Sequence, residues 1–268
     1  MQTLAPMDSQ VRTLYAEERQ QAIAELVAQR GRLSVNALAE EYAVTTETVR
    51  RDLSALERAG VLRRVHGGAV PASALTALES KASERDLTHA DEKDRIAKAA
   101  VALLPPSGGS VLLDAGTTTA RLAMMLPRDL RLTVVTNAVP IAARLAGSPS
   151  VSLHLLPGRV RSTTHAAVGE DTVEALGRLR ADVAFLGTNG ISREHGLSTP
   201  DHTEAAVKRA MVASAHRVVV LLDSSKLGRE HTVRFAELAD VDVVVTDSGA
   251  DGDQLETLRT AGVDVVVA

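Results

Sequence analysis

Two apolar periods divide the sequence. Up to about residue 70 the apolar side chains recur at helical spacing. Ile23, Leu26 and Val27, with Ala22 and Ala24 beside them, predict an amphipathic helix over 16–30 closed by Gly31. Ser34 is placed to cap a second helix over 35–42, with Val35, Leu38, Ala39 and Tyr42 facing inward. After a turn at Ala43-Val44, Thr45 is placed to cap a third helix over 46–59, ended by Gly60. Its inner face is Val49, Leu53 and Leu56; its outer face shows Thr46, Glu47, Arg50, Arg51 and Ser54. Two short β-prone runs around His66-Gly67-Gly68 then predict a hairpin.

From Asp91 onward the pattern changes. Continuous β-branched runs recur at 111–113, 132–135, 151–156, 183–186, 218–222, 241–245 and 263–267. Helical stretches lie between most of them, at about 92–104, 117–126, 138–146, 168–179, 203–215 and 252–261. Strands that are apolar on both faces and alternate with helices predict a buried, mostly parallel sheet. The expected organisation is a flexible N-terminus over 1–15, a small α+β domain over 16–70, a linker over 71–90 and an α/β domain over 91–268. The linker assignment rests on its Ala, Ser and Thr content.

Composition narrows the chemistry. The chain has no cysteine, which removes disulfides, thiolate nucleophiles, Fe–S clusters and Cys-ligated zinc together. No uninterrupted apolar stretch is long enough to span a bilayer, and the first residues lack a basic region followed by an apolar core. A cytoplasmic protein without membrane contact is expected.

The net charge of −4 opposes wholesale attraction to nucleic acid, but it hides a local feature. Within 50–66 there are five arginines, at 50, 51, 58, 63 and 64, against Asp52 and Glu57. Two helices joined by a tight turn, the second with a basic outer face, form a helix-turn-helix; a hairpin directly after it forms a wing. A helix fits the major groove, and arginine donates to guanine edges and to phosphates. The candidate contacts to double-stranded DNA are Thr45, Thr46, Glu47, Thr48, Arg50 and Arg51 on the helix and Arg63, Arg64 and His66 on the wing. Asp52 and Glu57 are expected to restrain these arginines by ion pairs. Helix-turn-helix proteins pair to reach half-sites about 34 Å apart, so a homodimer or higher homo-oligomer is expected. Aromatic residues number four, too few for a single-strand stacking platform. The plain alternative is a three-helix protein-interaction domain with solvated arginines.

In open α/β sheets ligands bind beyond the carboxyl ends of the strands. Small and polar residues gather there: Asp114-Ala115-Gly116-Thr117-Thr118-Thr119, Thr136-Asn137, Pro157-Gly158-Arg159, Gly187-Thr188-Asn189-Gly190 and Asp223-Ser224-Ser225-Lys226. Gly116 allows close backbone approach, and the hydroxyls and N–H groups of Thr117, Thr118 and Thr119 suit an anion at a helix N-terminus. Lys226 and Arg159 supply positive charge to it, while Asp114, Thr136, Asn137 and Asp223 suit sugar hydroxyls. A small phosphorylated polyol fits this inventory. No Walker motif and no G-x-G-x-x-G occurs, so ATP, GTP and NAD fit poorly, and no cofactor is expected. Eight scattered histidines show no zinc spacing, and no metal is expected.

The residues Leu38-Ala39, Val44-Thr45-x-x-Thr48-Val49-Arg50-Arg51-Asp52-Leu53, Leu56-Glu57, Gly60, Leu62, Arg64 and His66-Gly67-Gly68-Ala69 resemble the DeoR/GlpR family of bacterial sugar-responsive transcription regulators. The likeness continues through Asp114-x-Gly116-Thr117-Thr118, Val135-Thr136-Asn137, Gly169, Gly190, Lys208-Arg209, Asp223-Ser224-Ser225-Lys226 and Thr246-Asp247, and covers roughly 17–268. It implies a winged helix-turn-helix at about 35–54 and an effector domain of the ribose-5-phosphate isomerase type. That domain would sense a phosphorylated sugar without turning it over. Thr45 stands where the family more often has Ser, and Pro157-Gly158 where it often has Gly-Gly. A repressor of a sugar-utilisation operon is the resulting expectation. The alternatives are an activator, a regulator of a non-phosphorylated ligand, or an isomerase using Asp114, Asp223 or Glu204 with Lys226.

Overall fold

The computed structural model describes residues 15–30, 33–59, 61–65, 67–71 and 82–268. Gly31, Gly60 and His66, residues 1–14 of the expected flexible N-terminus and residues 72–81 of the expected linker lie outside the described residues. The chain divides into two compact units, 1–76 and 77–268.

The first unit contains α1 (Ala16–Arg30), β1 (Leu33–Ser34), α2 (Val35–Glu41), α3 (Thr46–Arg58), β2 (Leu62–Val65) and β3 (Gly68–Pro71). The expected caps are formed: Ser34 Oγ accepts from the Ala37 N–H at 3.0 Å and Thr45 Oγ1 from that of Thr48 at 3.2 Å. Between α2 and α3 the chain turns through Ala43 at φ 51°, with its N–H donated to the carbonyl of Glu40. Ile23, Val27, Leu38, Val49, Leu53, Leu56, Leu62 and Ala69 make the core. The three strands pair antiparallel in the order β1-β3-β2. The two glycines of the hairpin have separate reasons. Gly67 has φ +79°, and a Cβ on Gly68 would lie 2.2 Å from the carbonyl oxygen of Leu33, where β1 crosses. The short β1 carries no alternation of its own and is absent from the sequence-based reading.

The second unit begins with α4 (Ala82–Leu87) and α5 (Ala90–Ala100). It continues with β4 (Ser110–Leu113), α6 (Thr117–Met124), β5 (Leu132–Thr136), α7 (Val139–Leu145) and β6 (Val151–Leu155). The ribbon β7 (Arg159–Val160) and β8 (Ala167–Val168) and the helix α8 (Glu170–Gly177) lead to β9 (Ala181–Gly187). Then come β10 (Gly190–Ser192), β11 (Gly196–Thr199), α9 (His202–Ala213), β12 (Ala215–Leu221), β13 (Val233–Ala236), β14 (Val243–Thr246), α10 (Gly252–Thr260) and β15 (Asp264–Val267).

Seven strands form one parallel sheet in the order β15-β14-β12-β9-β4-β5-β6. They are the seven apolar runs of the sequence. One face, with Val111, Leu113, Phe185, Val219 and Leu221, packs on Ile96, Leu122 and Ile141 of α5, α6 and α7. The other, with Leu112, Ala184, Leu186, Val218 and Val220, packs on Leu176, Met211 and Leu258 of α8, α9 and α10. Burial on both faces is why the central strands read as continuous rather than alternating; the edge strands β6 and β15 are partly exposed. The strand order reverses between β4 and β9, and such a switch point is where open sheets leave a crevice. Residues 82–87, inside the expected linker, are helical.

Candidate functional site

On α3 the apolar stripe is buried and the opposite face exposes Glu47, Arg50 and Arg51. Glu47 meets Arg51 at 3.4 Å and Arg50 at 3.9 Å; all three are solvated, so these pairs hold the guanidiniums only loosely. Thr45 and Thr48 share a hydroxyl contact of 2.9 Å at the cap, and Thr46 opens the helix beside them. Arg64 lies exposed on β2 and donates to Ser54 Oγ at 2.7 Å, which lays the wing arginine along α3; Arg63 precedes it on the same strand.

Both acidic residues differ from expectation. Asp52 is buried and turned to α1, where Arg19 Nε meets it at 2.6 Å and Gln20 donates at 3.0 Å. Its charge is cancelled inside the domain and subtracts nothing from the outer face. Glu57 accepts the backbone N–H of Arg64 at 2.9 Å and so ties β2 to α3. If either exposed arginine reads a base edge, Arg50→Ala or Arg51→Ala is expected to weaken DNA binding by about 1–3 kcal/mol and to relax base preference at one position. Fluorescence anisotropy on a duplex series checks this, and unchanged affinity and preference in both variants would refute it.

In the second unit a pocket of about 50 Å³ opens at the carboxyl ends of β4, β9 and β12, at the switch point. Gly116, Thr117, Thr118 and Thr119 line it from the start of α6, where Gly116 is the extended N-cap residue. Asp223 and Lys226 line it from the turn after β12. These six positions were anticipated, and the fold brings them together. Asp247 places that turn by accepting the Ser224 N–H at 2.6 Å and its hydroxyl at 3.0 Å. Burial works against the Asp247 carboxylate, yet these donors and the Gly249 N–H hold it below the usual range.

Four anticipated residues have other duties. Asp114 is buried behind the pocket and paired with Lys208, and it accepts the Gly187 N–H at 3.0 Å. Thr136 is fully buried and donates to the carbonyl of Leu113 at 2.7 Å. Asn137 accepts the Ala115 N–H at 3.1 Å and donates to the Ala167 carbonyl at 3.1 Å, so it aims the loop into α6. Arg159 is exposed on the β7–β8 ribbon and is not among the lining residues. The stiff Pro157 carbonyl instead accepts the Thr172 hydroxyl at 2.6 Å. Thr119, though in the lining, also turns its hydroxyl to the Asp114 carbonyl at 2.7 Å.

The lining adds six residues that were not among the expected effector contacts: Arg85 and Lys93, which no motif marked, Thr188 and Asn189 of the strand-end turn, Lys208 of the family likeness, and Glu204. Glu204 and Lys208 sit four apart on α9, on the same side as the buried Met211. Charged residues on an apolar helical stripe were the available signal. Burial pushes the ammonium groups of Lys93 and Lys226 below the ordinary lysine range. Desolvated cations of this kind gain from an anion placed between them. Glu204 is itself engaged by Arg161 at 2.6 Å and by the Thr164 hydroxyl. Asp114 and Glu204 are thus each held by a cation, Lys208 and Arg161 respectively. Among the described residues no cluster of His, Asp or Glu could hold a metal, and no helix is long and apolar enough to cross a membrane.

Residues 19–74 match the DeoR-like helix-turn-helix domain, and residues 88–248 match the DeoR C terminal sensor domain. The chain belongs to the DeoR family. It is therefore a DNA-binding transcription regulator and not an enzyme. Over 249 residues it is 38% identical to the HTH-type transcriptional regulator GlpR of Haloferax volcanii, covering 93% of this chain and 96% of that one. It is 33% identical over 231 residues to the glycerol-3-phosphate regulon repressor of Escherichia coli K12, covering 86% and 90%. Among solved structures, ribose 5-phosphate isomerase A from Methanocaldococcus jannaschii aligns over 52% of this chain and 55% of its own, at 19% identity and a TM-score of 0.39. The fold of this DeoR-family sensor domain rests on its sheet order and the family match, not on that alignment.

Proposed function

We propose that the chain represses a sugar-utilisation operon and that a phosphorylated sugar, bound in the sensor pocket, releases it from operator DNA. The reading rests on one observation. The N-terminus of α6 opens into a pocket whose lining carries four cations, Arg85, Lys93, Lys208 and Lys226. Helix dipole and desolvated lysines together favour a phosphate, and Asp223 and Asn189 in the lining suit hydroxyls. Of these cations Lys208 is already committed to Asp114 and Arg85 belongs to the short helix α4, which leaves Lys93 and Lys226 to meet the ligand. The repressor names of two relatives, the glycerol-3-phosphate regulon repressor and GlcR of Bacillus subtilis, agree in sense.

The DNA side follows from geometry. The outer face of α3, with Thr46, Glu47, Arg50 and Arg51, enters the major groove, while Arg63, Arg64 and His66 meet the backbone beside it. A homodimer or higher homo-oligomer spaces two such helices, and the site of action is the cytoplasm. A coupling of about 1–3 kcal/mol between pocket and reading helix would weaken operator binding roughly 5- to 150-fold.

A gel shift on the DNA upstream of the chain's own gene, with a panel of sugar phosphates and their unphosphorylated parents, tests this reading. One phosphorylated member should release the DNA and its parent should not. Release by a parent sugar alone would sink the phosphate assignment. In the same assay Lys226→Ala is expected to keep DNA affinity within about twofold and to lose the response to ligand. A variant that still responds at wild-type ligand concentration removes Lys226 from the site.

A further inference from the structure

The helix α4 has an unusual anchorage. Its described side chains contribute nothing to the core, and Leu87 is exposed. It is held by its backbone instead. Lys93 Nζ donates to the carbonyl of Arg85 and, at 2.6 Å, to that of Thr88. Arg121 of α6 donates to the carbonyl of Asp86 at 3.0 Å and to its carboxylate, while its Nε meets Asp94 at 2.8 Å. The Ala82 N–H donates to the carbonyl of Thr163 at 2.9 Å. The carbonyls at a helix C-terminus have no partner within the helix, and here two buried cations supply one.

One of those cations also lines the pocket. Lys93 lines it together with Asp223 and Lys226, and Arg121 lies one turn along α6 from Thr117. Arg85 is part of the lining too, and its Nε is buried without a hydrogen-bond partner. Beyond Arg85 lies a groove of about 540 Å³ over α6 and α7, which shares Arg85, Ala115, Gly116 and Thr117 with the small pocket. The pocket alone holds a few water molecules by volume, far less than the roughly 300 Å³ and above typical of ligand sites. Between α4 and α5 stands His89 at φ 54° and ψ 43°, a left-handed conformation that a non-glycine residue seldom holds without support.

We propose that α4 is a strap whose docking competes with occupancy of the pocket, and that its release carries the signal toward the DNA-binding unit. This rests on the phosphate reading of the pocket. A phosphate at the start of α6 attracts the Lys93 ammonium more strongly than two neutral carbonyls do, because the attraction between opposite charges in a desolvated site adds to the hydrogen bond. Lys93 turns to the anion, the carbonyls of Arg85 and Thr88 lose their donor, and the strap comes away with His89 as its hinge. Its departure joins the pocket to the groove and makes room for the rest of the ligand. In sequence α4 directly follows residues 72–81, where the chain passes from one unit to the other. Displacement of the strap therefore acts on that connection directly.

Hydrogen exchange of the full chain, with inorganic phosphate as the probe and chloride at equal ionic strength as the control, tests this. Phosphate should slow exchange at 115–119 and speed it about tenfold at 82–89. Protection at 115–119 with unchanged or slower exchange at 82–89 overturns the strap and leaves the pocket reading standing. No protection at 115–119 sinks the pocket reading itself. Asp86→Ala removes an anchor that lies outside the small pocket. It should leave 82–89 fast without phosphate, keep the protection at 115–119, and bind upstream DNA at least about fivefold more weakly. A variant with wild-type exchange at 82–89, or with wild-type DNA affinity, contradicts the proposal.

Discussion

Lys208→Ala is expected to lower the stability of the sensor domain by about 3–5 kcal/mol, because it leaves a buried carboxylate without its counter-charge. The ammonium of Lys208 has three partners: Asp114, the Gly187 carbonyl at 2.9 Å and the face of the Phe235 ring at 5.4 Å. These join α9 to the ends of β4 and β9 and to the small antiparallel sheet of β10, β11 and β13. The loss should also depend on pH. Burial already pushes the Asp114 carboxyl up, against the pull of Lys208, and the variant removes that pull. A carboxyl raised in the folded state favours folding below its unfolded value and loses that contribution as pH rises through its folded value. The deficit of the variant should therefore be large at neutral pH and shrink on acidification. Calorimetric unfolding at several pH values measures it. A deficit that stays constant with pH would assign the effect to lost packing of the lysine stem.

Asp52→Ala is expected to cost the DNA-binding domain a similar 3–5 kcal/mol, since the buried Arg19 then loses the Asp52 carboxylate that faces it. A small domain has only about 5–15 kcal/mol in hand, so much of the population would unfold. The sequence provides a selective reporter. Tyr15 and Tyr42 are the only tyrosines and the chain has no tryptophan, so tyrosine fluorescence follows the first unit alone. Its urea midpoint should fall sharply. Replacing the pair together, Arg19→Met with Asp52→Leu, should restore most of the loss, because apolar side chains of similar size fill such sites well. An unchanged tyrosine transition in Asp52→Ala would show that the buried pair carries no weight.

How far the sequence disclosed this molecule depended on whether a signal was local. The five central runs became parallel strands because burial on both faces leaves an uninterrupted apolar string, while the edge strands β6 and β15 kept the apolar run although they are partly exposed. The caps Ser34 and Thr45 were visible because a cap bonds only three residues ahead. The short strands β7, β8, β10, β11 and β13 were not, since pairs such as Leu197 with Ala236 span distant segments and leave no period. The helix α4 escaped for a related reason: its anchors, Lys93 and Arg121, stand outside it.

At the pocket, residue type was legible and residue duty was not. Thr117 and Lys226 reach the lining, whereas Thr136 and Asn137, equally polar and equally placed at a strand end, spend their groups inside the protein. Nothing in a single sequence separates a hydroxyl aimed at a ligand from one aimed at a carbonyl. Asp52 shows the same limit, because helical spacing placed it between the two faces and only the approach of α1 decided which way it turned.

The reversal of strand order between β4 and β9 has a lasting effect on how such a sensor can change. The walls of the crevice come from loops that leave the sheet in opposite directions, while the hydrophobic layers begin below them. Thr117, Asn189 and Lys226 are only partly buried, so their exchange disturbs little of what keeps the domain folded. A lineage can thus change the residues at the rim while the scaffold beneath stays as it was.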